Sequence, residues 1–202
     1  MQLYHLPLSG HSHRVRLFLS IIGADHKLIE VAPEAIREPE FLKINRFAQV
    51  PVLVDGDVII ADSNAILIYL AKKFGKTDWL PEDAAGAAAV QKWLSVAANE
   101  IANGPCAARL ITVFKAPLNA EQVILTAHKV LKNVDDALIG RDWIALDRPT
   151  IADVALYSYI ARAPEGNVDT ARYEQIRSWL SRVEALPGFF PFVETAAGLN
   201  AK

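Results

Sequence analysis

The chain has 202 residues, 52% of them hydrophobic and 22% charged, and carries a formal net charge of −2. That length can bury a substantial core as one large domain or two modest ones, and the composition places the chain with globular rather than disordered proteins. The near-neutral balance, with no basic run and no RNP-type aromatic motif, makes no case for nucleic acid as a partner. Cys106 is the sole cysteine, so no internal disulfide or thiol-based zinc site is expected and a reducing compartment fits. The opening MQLYHLPLSGHSHR lacks the positive start and long apolar core of a signal peptide, and no run approaches the ~20 apolar residues of a membrane span. The expectation is a soluble, cytoplasmic protein with no membrane partner.

In chain order, Gln2 to Leu6 reads as a strand ending at Pro7, followed by a loop and an apolar helix from about Ser12 to Ile22 with Gly23 as its stop. Lys27 to Val31 reads as a second strand, and strand, helix, strand implies a parallel βαβ unit. Residues 33–45 are polar and suit short helical turns. Val52 to Val54 and Val58 to Ala61 are apolar runs joined by Asp55-Gly56-Asp57, which is hairpin chemistry because Gly supplies positive φ and Asp tolerates it.

Pro51 cannot donate to a sheet ladder and so belongs at a strand's first residue or at an edge, leaving the Val50 backbone free to pair with something outside the protein. Asp62 and Ser63 then open a helix to about Phe74, with Ile66, Tyr69 and Leu70 at helical spacing and Gly75 past its end. A helix start with side-chain oxygens and free backbone N–H groups favours a carboxylate. Residues 1–76 thus spell βαβ then ββα, an α/β unit, and the Gly, Pro and Asp content of the segment reaching residue 83 marks 77–83 as a linker.

Residues 84–202 read as all-helical. Gly104-Pro105 is expected to kink or break the first long helix. Asn119 can cap another, with Val123, Val130, Leu131 and Val134 on its apolar face and Gly140 beyond its end. Thr150 and Asp153 form a capping-box variant at the start of a buried helix, and Trp179, Val183 and Leu186 belong to a last helix that stops before Pro187-Gly188.

The ordered set SGHSHRVRLFL (Ser9 to Leu19), NRFAQVPVLVDGD (Asn45 to Asp57), ADSNAILIYLA (Ala61 to Ala71), WLPED (Trp79 to Asp83) and RPTIADVAL (Arg148 to Leu156) resembles the cytosolic glutathione transferases, of the serine type, along the whole chain. The resemblance implies a thioredoxin-like N-terminal domain that binds glutathione and an all-α C-terminal domain supplying most of a hydrophobic electrophile pocket. It also implies a homodimer, conjugation of glutathione as co-substrate, and a role in detoxification.

By the same resemblance Pro51 is cis and presents the Val50 backbone to the cysteinyl part of glutathione. The γ-glutamyl carboxylate sits on Ser63, Asp62 faces the ammonium, and Gln49 and Arg37 address the glycyl end. The alternative for Asp62 is a plain helix cap, and for Arg37 a solvated charge.

A free thiol with a pKa near ~8.5 is mostly protonated at neutral pH, while only the thiolate is a good nucleophile. A hydroxyl donating to the sulfur, aided by a helix start, favours the charged form. Ser9 stands where serine-type members place this donor, and the alternative is that Ser9 merely caps its helix; Tyr4 lies too early, inside the strand. The Ser9 to His13 loop holds no cysteine for thiol-transferase chemistry and no SSCSYR-like signature of maleylacetoacetate isomerases, so conjugation is favoured over both.

His11 and His13 lack the carboxylate or thiol neighbours a metal site needs and are expected as polar loop residues, with no metal. Cys106 reads as a small buried hydrophobe. Other uses of such a fold are a non-enzymatic interaction protein or a glutathione-dependent peroxidase or isomerase.

Overall fold

The structure, a computed structural model, describes residues 1–201. Four strands form one mixed sheet in the order β2-β1-β3-β4, with β1 (Gln2–His5) parallel to β2 (Lys27–Glu30) and antiparallel to β3 (Val52–Asp55), which pairs with β4 (Val58–Ala61). Helix α1 (Gly10–Ile21) makes the crossover between the two parallel strands, as that geometry requires. Helix α2 (Pro39–Ile44) follows a short 3-10 turn, and α3 (Ser63–Lys73) follows the hairpin.

Alternation along the strands splits the core. Leu3 and Leu53 belong to the main core with Val15, Phe18, Ile66 and Leu70 of α1 and α3. Val52 instead joins Phe41 and Val31 in a smaller cluster packed with Tyr4. The sheet is therefore covered by α1 and α3 on one face and by α2 on the other.

The rest is helical: α4 (Ala84–Val96), α5 (Ala107–Phe114), α6 (Ala120–Ala137), α7 (Ile151–Ala161) and α8 (Glu174–Glu184). Gly104-Pro105 does not break the first long helix. The chain runs from α4 into α5 through ten residues, Ala97–Cys106, wound as π-helix, a wider winding that accommodates the missing N–H of Pro105. Gly104 lets α6 pack closely there: a Cβ would lie 3.1 Å from Ala127 Cα, so the two helices would have to part by a few tenths of an ångström.

Helix α7 is buried from Ile151 to Ile160 and touches α1, α3 and α4, so it is the axle of the helical region. Its start is a complete capping box: the Thr150 N–H donates to Asp153 Oδ2 at 2.9 Å and the Ala152 N–H donates to Thr150 Oγ1 at 3.2 Å. The other oxygen, Asp153 Oδ1, accepts from the Ile144 N–H at 3.0 Å and from Trp179 Nε1 at 2.9 Å. The Ile151 N–H reaches back to the Trp79 carbonyl at 3.1 Å, tying α7 to the segment between the α/β and helical parts. Among the described residues, no helix is long and apolar enough to cross a membrane.

Candidate active site

A cleft of about 350 Å³ opens where α1, the turn into β3, the start of α3 and the π-helical segment meet. Gln49, Val50 and Pro51 form one wall, Asp62, Ser63 and Asn64 a second, His11 and Arg14 of α1 the floor, and Ala98 and Ala102 the helical side.

The first wall is set by a turn that leaves main chain exposed to a guest. The Val50-Pro51 peptide bond is cis. The β3 ladder begins only at Val52, opposite Tyr4 and Ala61, so Val50 stands outside it. Asn45 braces the approach: its Nδ2 donates to the Gln49 carbonyl at 2.8 Å while its Oδ1 accepts from the Phe47 N–H at 3.0 Å.

The second wall is a helix start. Asp62 caps α3, with Oδ1 accepting from the N–H groups of Asn64 at 2.9 Å and Ala65 at 3.0 Å. That cap does not use the Ser63 N–H. Asp62 holds φ at 72°, a left-handed value rare for a residue with a Cβ and found most often where a binding site over-determines the backbone.

Beneath this helix start lies Arg14, 1% exposed. Its Nη1 donates to Ser63 Oγ at 3.1 Å and to Asn64 Oδ1 at 2.9 Å, whereas Nε and Nη2 are buried without a partner. Among the described residues no carboxylate comes within ion-pair distance of it. An arginine stays charged even when burial lowers its pKa, so the site contains an unanswered cation directly under a positive helix end. Both favour an anion in the cleft.

His11 Nδ1 lies 3.4 Å from Ser63 Oγ and its ring sits edge-on to Tyr159, centroids 5.0 Å apart. Burial, and secondarily the Arg14 charge, draw its pKa down to about 3, so it is neutral and adds no charge of its own. Gly10 makes this arrangement possible, since a Cβ there would meet the Tyr159 ring at 2.7 Å.

The sequence-predicted residues are thus partly brought together. Gln49, Val50, Pro51, Asp62 and Ser63 share the cleft. Ser9 is not among its walls: it caps α1, its Oγ accepting from the Ser12 N–H at 3.2 Å. That cap uses an oxygen lone pair and leaves the hydroxyl hydrogen free to donate. Arg37 is exposed on the 3-10 turn Ala35–Arg37, away from the walls. Cys106 is buried and its thiol is pushed up by that burial.

His11 and His13 are not loop residues. They stand on opposite sides of α1, one in the cleft and the other buried with Nε2 on the Phe190 carbonyl at 3.2 Å and Nδ1 on Ser158 Oγ at 2.9 Å. Sequence reasoning missed His11, Arg14, Asn64 and the two alanines. The available signal was polar side chains at the first turns of two otherwise apolar helices. Among the described residues no group of three or more His, Cys, Asp or Glu could hold a metal ion.

Family models described as Glutathione S-transferase, N-terminal domain and Glutathione S-transferase, C-terminal domain match residues 1–72 and 115–187. Glutathione S-transferase 3 of Zea mays is 32% identical over 94% of this chain and 91% of its own length. The chain belongs to the glutathione S-transferase family. Solved structures agree: a possible glutathione S-transferase from Rhodopseudomonas palustris superposes with a TM-score of 0.87 at 29% identity, covering 96% of this chain and 98% of that one. A glutathione transferase homologue from Drosophila mojavensis, solved with glutathione bound, does so with a TM-score of 0.84 at 29% identity, over 92% and 88%. The thioredoxin-like and all-helical parts of this transferase are those of its relatives.

Proposed function

We propose that this transferase binds glutathione in the cleft and conjugates its thiolate to small hydrophobic electrophiles. The observation that carries the binding half is the start of α3 backed by Arg14, an open helix end over a buried cation that no carboxylate answers. In this reading the γ-glutamyl carboxylate takes the Ser63 hydroxyl and N–H, and Asp62 faces the ammonium. The cysteinyl backbone pairs with Val50 beside Pro51 as an added strand. Gln49 addresses the glycyl carboxylate from the cleft wall, and Arg37, exposed on its turn outside the walls, is the second partner proposed for it. The N-terminal part, residues 1–76, supplies these contacts, and the helical part beyond the 77–83 linker supplies most of the electrophile pocket, with Ala98 and Ala102 nearest the peptide. A homodimer in the cytoplasm completes the reading.

Ser9 is assigned the thiol chemistry. Its hydroxyl donates to the glutathione sulfur and stabilises the thiolate, while the thiol proton leaves to solvent. The sulfur lone pair then forms the C–S bond, and the electron pair of the broken bond departs on the leaving group or settles on an opened oxygen. Ser9→Ala is expected to leave glutathione affinity nearly intact and to raise the bound-thiol pKa; a rise of about one unit corresponds to ~1.36 kcal/mol of thiolate stabilisation.

Titration of thiolate absorbance checks the role, and an unshifted curve removes it from Ser9. Retention on immobilised glutathione, followed by turnover of aryl halides, epoxides, enones, isothiocyanates or peroxides, checks the activity. A protein that neither binds glutathione nor turns over any of these is an interaction protein on the same fold.

A further inference from the structure

The loop carrying Ser9 is held from within and from without. Within it, the Ser9 N–H donates to the Leu6 carbonyl at 3.0 Å and the Leu6 N–H to Ser12 Oγ at 3.2 Å. From outside, the carbonyl of Leu8, the residue directly before Ser9, accepts from Arg109 Nη1 of α5 at 2.7 Å.

Arg109 is 1% exposed, and its Nε donates to Oε2 of the fully buried Glu165 at 2.6 Å. The other oxygen, Glu165 Oε1, accepts from the Thr195 N–H at 2.8 Å. Thr195 belongs to the C-terminal segment, which runs back over α1 as a strap. His13 donates to the Phe190 carbonyl and Arg162 to the Phe192 carbonyl. The Phe192 ring stacks on His13 with centroids 4.8 Å apart, while the Arg109 guanidinium lies 4.8 Å from the same ring. Farther on, Gly198 at φ +59° presses so close to Glu165 that a Cβ would lie 2.3 Å from its carbonyl oxygen. An unbroken chain of contacts therefore joins the strap, Glu165, Arg109 and the peptide ahead of Ser9.

We propose that Arg109 is a positioning residue for Ser9, with Glu165 and the C-terminal strap setting the guanidinium that fixes the Leu8–Ser9 peptide. This rests on the assignment of Ser9 to the bound sulfur. Stability alone does not call for such a device, because a buried ion pair is often matched or bettered by apolar residues of similar volume. What the guanidinium supplies is a rigid planar fork, one arm on a carboxylate and another on a carbonyl at a fixed angle, which a lysine cannot reproduce. The carbonyl held is the one whose rotation swings the Ser9 Oγ, and misplacing a reacting group's partner by about 1 Å costs up to ~100-fold in rate.

The test is a titration of bound-glutathione thiolate absorbance, with kcat and KM across pH, in the full-length protein. Arg109→Lys keeps the charge and loses the fork. Thr195→Pro keeps Arg109 and Glu165 but removes the N–H that holds Glu165 Oε1. Both are expected to raise the bound-thiol pKa by about half to one unit, lowering kcat severalfold at neutral pH with recovery at higher pH, while KM for glutathione stays within about twofold. Val193→Ala, an exposed strap side chain, is expected to match the wild type.

In a Ser9→Ala background, Arg109→Lys should add no further shift. Wild-type pKa values in both Arg109→Lys and Thr195→Pro, with Ser9→Ala shifted, overturn the positioning role and leave the Ser9 assignment standing. An equal Arg109→Lys shift with and without Ser9 also overturns it, since the cation then acts on the sulfur without the serine. A Ser9→Ala protein with an unshifted pKa instead sinks the Ser9 assignment itself, and the positioning role with it.

Discussion

At the start of α7, every donor that points at the cap is met: Asp153 accepts from Thr150 N–H and Oγ1, from Ile144 N–H and from Trp179 Nε1, all buried. At the start of α3, the same kind of acid-and-hydroxyl pair is left half open. Asp62 takes two N–H groups, while Ser63 faces a cleft with Arg14 and His11 beneath it. Closed, such a pair cements elements distant in sequence; open, it presents the same donors to a guest. The two can be told apart only by what surrounds them, since the residue types alone are alike.

The largest effect follows from the closed one. Asp153→Ala strands the Ile144 N–H, the Thr150 N–H and Trp179 Nε1 in the core, each at about 1–3 kcal/mol. A loss of stability of at least ~3 kcal/mol is expected in urea denaturation, with glutathione affinity preserved in whatever remains folded. A loss under ~1 kcal/mol would mean that the cluster is not a closed one.

The open start gives the reverse pattern. Ser63→Ala is expected to weaken glutathione binding by about 1–3 kcal/mol through loss of a charge-assisted hydrogen bond, with a smaller change in stability because Arg14 Nη1 keeps Asn64 Oδ1. Calorimetry checks it. Equal affinities in variant and wild type would remove Ser63 from the site and erase the contrast.

Helix α1 carries the same contrast within one turn. His13 is on the closed side, its Nε2 donating to the Phe190 carbonyl and its Nδ1 accepting from the Ser158 hydroxyl, and burial holds its pKa at about 3, below the ordinary 6.5. The unfolded chain takes up this proton below pH 6.5 and the folded protein does not until about pH 3, so the contribution is complete above 6.5 and is lost as the pH falls. The slope is about 1.4 kcal/mol per pH unit for one such group. His13→Gln should therefore lower stability at neutral pH while flattening the acid limb by about that slope. Urea denaturation from pH 7 to 4 decides it, and parallel limbs would mean that His13 is already protonated in the fold.

What was legible in the sequence was whatever short-range chemistry fixes. The hairpin at Asp55-Gly56-Asp57, the cap at Asp62 and the box at Thr150 and Asp153 depend on neighbours within a few residues, and each forms where its residues stand. The boundaries of α1 are less local: Ser9 caps it and the helix begins at Gly10 rather than near Ser12. Nothing in the local sequence sets Arg14 apart from Arg16 on the same helix. Arg14 is buried only because α1 is packed between α3 and α7, a fact set by residues about fifty and more than a hundred positions away. His11 and His13 could not be separated for the same reason. Gly104-Pro105 correctly marked an irregularity but not its kind: the segment winds as π-helix, with α6, from a later part of the chain, packed against Gly104.

The smallest predicted effect is also the finest test of what closed means. Thr150 contributes two contacts to its cap, accepting from the Ala152 N–H at 3.2 Å and donating to Asp153 Oδ2 at 3.1 Å. Thr150→Ala removes both and should cost about 0.5–2 kcal/mol, the usual range for a lost N-cap hydroxyl. Thr150→Ser should restore most of it, since the hydroxyl rather than the methyl makes the contacts. Because the two side chains share one hydrogen-bonded unit, Thr150→Ala should cost measurably less in an Asp153→Asn background than alone. Turnover per folded molecule should be unchanged throughout, since α7's start lies outside the cleft. Additive stabilities in that cycle would show two independent caps in place of one closed cluster, and a fall in turnover at full stability would mean that this pair, like Asp62 and Ser63, is open to a ligand.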